Sequence, residues 1–193
     1  GLPTETDEDI LAIADLARRV LALSRNPARC KVSVSVSTFV PKPHSAFQWF
    51  AQIPVEEMER RQRLLRGALR DRRISFNWHD APTSRLEGVF ARGDRRLGKT
   101  LLQAWRTGAR FDGWSEHFRA DFWQEAFVTT GVDPDFYTVR PREIGETMPW
   151  AQLRSGVSQN WLAREWELSQ AGIFTADCRH GECSGCGVCQ DLG

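Results

Sequence analysis

The sequence has no long apolar run, only five cysteines and almost no net charge. Each of these absences limits the classes of protein to which the chain can belong. No stretch of about eighteen apolar residues occurs, so no membrane-spanning helix is expected. Residues 1–9 are acidic and lack the apolar core of a secretory signal. With 26 Lys and Arg against 25 Asp and Glu, the net charge of +1 does not support a nucleic-acid partner. We therefore expect a cytoplasmic protein that does not bind membranes.

The cysteines are concentrated near the C-terminal end of the chain. Four of the five fall within the last sixteen residues, in a C-x4-C-x2-C-x2-C array. A chain without a secretion signal keeps its thiols reduced, so this array predicts a metal site rather than disulfides. The four predicted metal ligands are Cys178, Cys183, Cys186 and Cys189.

The spacing of these thiols leaves two metal centres open. The C-x2-C-x2-C part resembles a ferredoxin loop, whose thiolates hold the irons of one 4Fe–4S cluster, and Cys178 would supply the fourth ligand. The alternative is zinc, which also takes four thiolates, with His180 as a spare ligand. Zinc ribbons usually place two cysteine pairs on well-separated turns, so the pattern favours the iron–sulfur cluster.

The first half of the chain alternates helical and strand patterns. An acidic, capped start at Thr6 and apolar residues at helical spacing predict a first helix, which stops at Asn26-Pro27. Strands are predicted over 32–39 and 74–79, with a helix over 55–72 between them, and this order implies parallel pairing. Further helices are predicted over 83–92, 95–107, 115–129 and 158–170, with connecting structure over 131–157.

Both predicted strands have one polar face made of small residues. Valines alternate with serines in the first strand, and Ile74, Phe76 and Trp78 alternate with polar residues in the second. Parallel strands covered by helices on both sides are usually apolar throughout, so the polar face must meet water or a bound molecule. Two arrangements explain it: the open lumen of a partial barrel, or a sheet with one face in solvent. The polar positions are Ser33, Ser35, Ser37, Ser75 and Asn77.

Several segments together resemble the second half of a radical S-adenosylmethionine (SAM) enzyme. The Gly1–Thr6 segment resembles the Gly-Leu-Pro-Gly-Glu-Thr sequence that commonly ends the fourth strand of these enzymes, although Thr4 replaces the second glycine. The remaining segments resemble one radical SAM subfamily, whose full-length members carry an N-terminal cobalamin-binding-like domain. These segments are Phe39–Trp49, Ala91–Arg96, Phe111–Glu116 and the cysteine tail.

This resemblance implies an α/β fold, the C-terminal part of a (βα)6 partial TIM barrel, followed by a mostly helical extension and a Cys-rich metal-binding tail. The corresponding domain division is 1–92, 93–175 and 176–193. The C-x3-C-x2-C motif that holds the SAM-cleaving cluster does not occur. We therefore expect a fragment that is inactive by itself and that partners the missing N-terminal part of the same polypeptide, where SAM and cobalamin would be used.

The resemblance also implies that Gly1, Leu2, Pro3 and Glu5 contribute to the SAM pocket; the other interpretation is a chain turn followed by helix capping.

Candidates for proton transfer are weaker. His44 and the pair His79-Asp80 fall just past the C-terminal ends of the predicted strands, the rim that carries active sites in barrel folds. Each is equally explained by turn chemistry.

Two functions follow as hypotheses. The first is the C-terminal part of an enzyme that uses a 5′-deoxyadenosyl radical, with RNA or protein among the conceivable substrates and an auxiliary iron–sulfur site in the tail. The alternative is a non-enzymatic helical interaction domain closed by a structural zinc site. Neither pattern nor resemblance specifies the substrate.

Overall fold

The computed structural model describes residues 1–26 and 29–191, and it begins with a helix–strand–helix–strand unit followed by helices. The helices are α1 Asp7–Ala22, α2 Val55–Ala68, α3 Ala81–Ala91, α4 Leu97–Thr107, α5 Ala120–Thr130, α6 Gln159–Gln170 and α7 Val188–Asp191. The strands are β1 Val32–Val36 and β2 Ile74–Trp78.

Helix α1 begins at a reciprocal cap. The backbone N–H of Asp9 donates to Thr6 Oγ1 at 3.3 Å, and the backbone N–H of Thr6 donates to Asp9 Oδ2 at 2.9 Å. Three acidic residues in the first turn suit the positive end of the helix dipole. The apolar stripe Ile10, Ala14, Ala17 and Leu21 is buried. The cap and the stripe therefore fix both the start of α1 and the face that packs.

The two strands are adjacent and parallel, as the sequence predicted. Val32 pairs with Ile74 and Val36 pairs with Trp78, with α2 as the crossover between the strands. Apolar side chains of both strands pack with α1 and α2 in one cluster around Leu65 and Leu69. Helices therefore cover this face of the sheet.

The prediction of a partial barrel is wrong. Within the described residues β1 and β2 form a two-stranded sheet with no third strand, followed by helices. The opposite face of the sheet is exposed rather than directed into a lumen: its side chains are Ser33, Ser35, Ser75 and Asn77. Asn77 donates to Ser33 Oγ at 3.3 Å across the strands. A strand–helix–strand unit with one solvent-exposed face has the same alternation of apolar and polar residues as two strands of a partial barrel. The alternation therefore does not distinguish the two folds.

The helices after β2 form two further clusters. One lies around Val89, Ala104, Trp123 and Phe127, so it joins α3, α4 and α5. The other joins Trp49 of the long loop after β1 to Met148, Trp150 and Leu162. The predicted division into three domains stays a prediction. Among the described residues, none of the helices has the length and apolar character needed to cross a bilayer.

The predicted helices are present with one clear difference. Residues 115–119 are not helical, and α5 begins only at Ala120. The chain instead turns at Phe111, whose φ of 58° is in the left-handed region, and its carbonyl accepts the N–H of Trp114 at 3.0 Å. Residues 131–157 form connecting structure without helix or strand, as predicted.

Candidate functional site

The cysteine tail follows α6 and ends in α7. Cys178, Cys183 and Cys189 are exposed, Cys186 is half-buried, and all four are free thiols. The backbone N–H of Gly185 donates to Cys183 Sγ at 3.4 Å. Hydrogen bonds to cysteine sulfur also occur in iron–sulfur sites, where they help to set the reduction potential.

The segment from Cys183 to Gly187 is attached to the start of α6. The backbone N–H of Ser158 donates to the carbonyl of Cys186 at 2.8 Å, and Arg164 donates to the carbonyl of Ser184 at 3.0 Å. Gly187 has a φ of 100°, and a Cβ there would lie 3.0 Å from the carbonyl oxygen of Gly156. Glycine is therefore required where the tail passes closest to the loop before α6.

The four cysteines fit an iron–sulfur or zinc centre in donor chemistry but are not gathered around one point. Over residues 1–26 and 29–191, no three His, Cys, Asp or Glu side chains come together as a set of metal ligands. Closing such a centre therefore requires the cysteine side chains to come closer together than they lie in this structure. Next to Cys178, Asp177 is paired with Arg179 at 2.6 Å, so this carboxylate already has a partner.

Two of the four residues expected at a SAM pocket line a small cavity. Gly1 and Glu5 face it together with Ser37 and Thr38, which follow β1. Its volume is about 70 Å³, enough for a few water molecules at about 30 Å³ each but not for a nucleoside. Leu2 and Pro3 do not line it. The predicted pocket residues are thus only partly brought together.

The carboxylate of Glu5 is held by α2. Arg61 donates to Glu5 Oε2 at 2.7 Å and to Glu57 Oε1 at the same distance. Arg60 also binds Glu57, and hydrogen bonds from Arg60 and then Arg61 lower the pKa of Glu57 to about 2. Glu5 is therefore part of an ion-pair network that joins the start of the chain to α2. This network supports the structural interpretation of Glu5 as much as the cofactor-binding one.

The structure does not assemble the candidate proton-transfer residues into a catalytic group. His44 is half-buried in the loop after β1 with a φ of 56°, and its backbone N–H donates to Gln48 Oε1 at 3.2 Å. His79 is exposed directly after β2, and Asp80 is the N-cap residue of α3 without a side-chain cap bond. None of the three lines the small cavity beside Gly1 and Glu5, and none lines a larger cleft between α2, α3 and α5.

A larger cleft, which sequence reasoning missed, lies between the start of α2 and helices α3 and α5. Its volume is about 420 Å³, and most of its wall is apolar, including Leu86, Val89 and Phe127. Trp123 also lines it, and the indole N–H of Trp123 is buried without a partner among the described residues. Arg85 and Asp135 form an ion pair at 2.6 Å in the same wall. Because the residues that line this cleft come from distant segments of the chain, no local sequence pattern predicts it.

A buried arginine at the end of α3 joins three chain segments. Arg92 is fully buried and donates to the backbone carbonyls of Phe50, Thr138 and Arg140, the last two at 3.2 and 3.3 Å. Its own carbonyl accepts from Arg142 at 2.7 Å. Burial, with the neighbouring positive charges of Arg142 and Arg140, lowers the pKa of Arg92 to about 10. Arg92 is followed closely by Asp94, Arg95 and Arg96, and no local sequence pattern signals that it is buried.

Two buried glutamines complete the same region. Gln48 accepts from the indole N–H of Trp150 at 3.0 Å and donates to Gln159 at 2.8 Å. Gln52 donates to the carbonyl of Ser84 at 2.9 Å. These bonds tie the loop after β1 to α3 and to the start of α6. The segment from Phe39 to Trp49, which carried part of the family resemblance, thus has a structural role in joining the strand unit to the helices.

Comparison with known proteins gives a partial similarity. No family model matches the chain, and no solved structure matches it. The chain is 32% identical over 105 residues to the uncharacterized protein MJ0966 of Methanocaldococcus jannaschii. The matched part is 52% of this chain and 21% of that protein, so the chain spans about a fifth of the length of this relative.

Proposed function

We propose that the chain is the C-terminal part of a radical SAM enzyme and that its tail holds an auxiliary 4Fe–4S cluster. The observation that carries the proposal is the array of four free thiols within twelve residues, one of which already accepts a backbone N–H. The family-like segments of the sequence support the same assignment. The proposal does not rest on a barrel, and the cytoplasm is its proposed location because these thiols require a reducing compartment.

Different residues of the tail would bind the cluster and attach it to the rest of the fold. Cys183, Cys186 and Cys189 would supply three of the ligands, and Cys178 would supply the fourth. The attachment of the Cys183–Gly187 turn to α6 would give the cluster a fixed place. Once bound, a cluster of this type passes electrons or braces the fold. Four thiolates leave no open iron, so SAM cleavage would need a second cluster held elsewhere in the polypeptide.

The remaining partners of the proposal lie in that longer polypeptide. Its N-terminal part would supply the C-x3-C-x2-C motif, and cobalamin would bind there if the resemblance extends to its first domain. Gly1 and Glu5 would then contribute to the SAM pocket, because they already line a cavity at the end of β1.

Anaerobic reconstitution with iron and sulfide tests the metal assignment. The chain should take up about four irons and four sulfides per molecule and show a broad absorbance near about 400 nm. Cys186→Ser should lose most of this absorbance. Cys30→Ser is the matched control and should leave the absorbance unchanged. Cys30 packs against the apolar cluster around Leu65 and Leu69, with the valines of β1, and is not part of the tail.

One result would replace this proposal with its alternative. If anaerobically purified protein contains one zinc per chain and no iron, the tail is a structural zinc site that closes a helical interaction domain. The enzyme assignment has its own test, since the full-length protein should form 5′-deoxyadenosine from SAM under reducing, anaerobic conditions. The present chain alone should not, and 5′-deoxyadenosine from this chain would contradict the assignment of the tail as a closed cluster.

A further inference from the structure

Helix α4 and the turn after it expose an unusual combination of aromatic, aliphatic and basic side chains. Lys99, Leu102 and Arg106 share one face of α4, and Leu101 and Trp105 lie beside them one turn apart. We name this region the α4 surface. Its residues, all exposed, are Arg95, Lys99, Leu101, Leu102, Trp105, Arg106, Arg110, Phe111 and Trp114.

The cations of the α4 surface are free to bind an anion. Within the part of the chain that the structure describes, Arg95, Lys99, Arg106 and Arg110 make no ion pair with a carboxylate. Three of the four arginines of α2 differ, because Arg60, Arg61 and Arg63 are paired with acidic residues. Residues 95–121 contain six Lys and Arg against three Asp and Glu. The nearly neutral chain therefore has a local positive surface.

The aromatic side chains of the α4 surface stand out into solvent. Trp105, Phe111 and Trp114 are 54%, 68% and 58% exposed, which is high for residues of this size. The rings of Phe111 and Trp114 have centroids 5.8 Å apart. The guanidinium of Arg110 lies 4.7 Å from the centre of the Trp105 ring and donates to the Trp105 carbonyl. Arg110 thus packs back against the ring of Trp105 on the helix.

The backbone of the α4 surface contains two residues with positive φ angles, Gly108 and Phe111. Gly108 ends α4 with a φ of 118°, and the chain folds back so that the N–H of Ala109 donates to the carbonyl of Ala104 at 2.9 Å. Phe111 then adopts a φ of 58°, a region that bulky side chains rarely occupy. Such strain concentrates at functional positions.

We propose that the α4 surface binds single-stranded nucleic acid. Every base has a π-face that can stack on an exposed ring, and every phosphate can pair with a free Lys or Arg. The surface offers three exposed rings and four cations that form no ion pair with a carboxylate among the described residues, one of which, Arg110, lies over one face of Trp105. A duplex hides its base faces, so it would use the cations but not the rings. This inference is independent of the metal site, because none of its residues belongs to the cysteine tail.

Binding is measured by fluorescence anisotropy of the 193-residue chain with fluorescein-labelled 12-nucleotide oligouridylate, oligothymidylate and a 12-base-pair duplex. We expect at least one single strand to bind more tightly than the duplex. Four phosphate contacts predict that log K falls with log[salt] with a slope of about −3. Trp105→Ala or Trp114→Ala should weaken single-strand binding about 5- to 150-fold, the range of one stacked base.

Matched variants separate the α4 surface from general effects. Arg106→Gln should reduce the magnitude of the salt slope by about 0.7. Arg72→Gln removes an exposed arginine outside the surface, and Phe174→Ala removes a ring that is 97% exposed elsewhere, so both should leave binding unchanged. Far-ultraviolet circular dichroism checks that each variant is folded.

Three results would overturn the proposal. The first is the absence of single-strand binding at about 50 mM salt, and the second is binding that Trp105→Ala and Trp114→Ala leave intact. The third is binding to vesicles that contain anionic phospholipid without binding to oligonucleotides, which would make the α4 surface a membrane contact. In the vesicle assay, a blue shift of tryptophan emission would report insertion of the rings.

Discussion

Replacing the buried Arg92 by Met tests how the helices are joined to the loop after β1. The carbonyl of Thr138 would keep a donor, the N–H of Gln52 at 2.9 Å, but the described residues offer no other donor to the carbonyls of Phe50 and Arg140. The bonds of Arg92 to these two carbonyls are half-buried, and each carbonyl that loses its donor there costs about 1–3 kcal/mol. Removing a buried charge returns part of this cost. We expect a net loss of about 2–4 kcal/mol in the free energy of unfolding.

Urea and thermal unfolding followed by tryptophan fluorescence measure this loss. For a chain of this length the melting temperature should fall by roughly 5–15 °C. Arg95→Met is the matched control, since Arg95 is exposed three residues further along, and it should change stability by less than about 0.5 kcal/mol. If Arg92→Met is as stable as the parent protein, the three carbonyls are satisfied in another way and Arg92 does not organise this region.

Two further predictions concern α2 and α3. Because arginine hydrogen bonds lower the pKa of Glu57 to about 2 from an ordinary 4.5, Glu57 stabilises the fold fully above pH 4.5, and this stability is lost as the pH falls toward 2. Glu57→Gln should therefore flatten acid unfolding in that window, whereas Glu8→Gln, which removes an exposed carboxylate without an ion pair, should not. Gly88→Ala should cost about 1–3 kcal/mol in thermal unfolding, because the new Cβ would lie 2.2 Å from Gln52 Oε1. Gly67→Ala, where the Cβ meets nothing within 4 Å, should instead stabilise by about 0.5–1 kcal/mol, and equal effects at the two glycines would contradict the packing described for α3.

Local patterns predicted the local structure well. The cap at Thr6 and the buried stripe from Ile10 to Leu21 define α1 in both sequence and structure. The valine–serine alternation identified β1, and the helix between the strands implied their parallel pairing. These features depend on residues within one or two turns of each other, so the chain itself displays them.

The features that failed depend on residues far apart. The number of strands in a sheet is a property of the whole chain, and the alternation in β1 is the same whether or not a barrel surrounds it. Arg92 donates to carbonyls 42 to 48 residues away, so no pattern local to Arg92 could show that it is buried. The helix predicted from residue 115 starts only at Ala120, after a turn in which the backbone of Phe111 is left-handed. Four closely spaced thiols predict metal chemistry but not whether they are already gathered.

The way the sheet is held has a consequence for partial unfolding. Each strand has one partner within the described residues, and side-chain packing comes from α1 and α2 on a single face. Isolated two-stranded sheets are marginal in water, so β1 and β2 depend on α1 remaining docked. The cluster around Val89 and Trp123 shares no residue with this unit. Native-state hydrogen exchange should therefore show α1, β1 and β2 opening together, at a lower free energy than α3 to α5, as one cooperative unit.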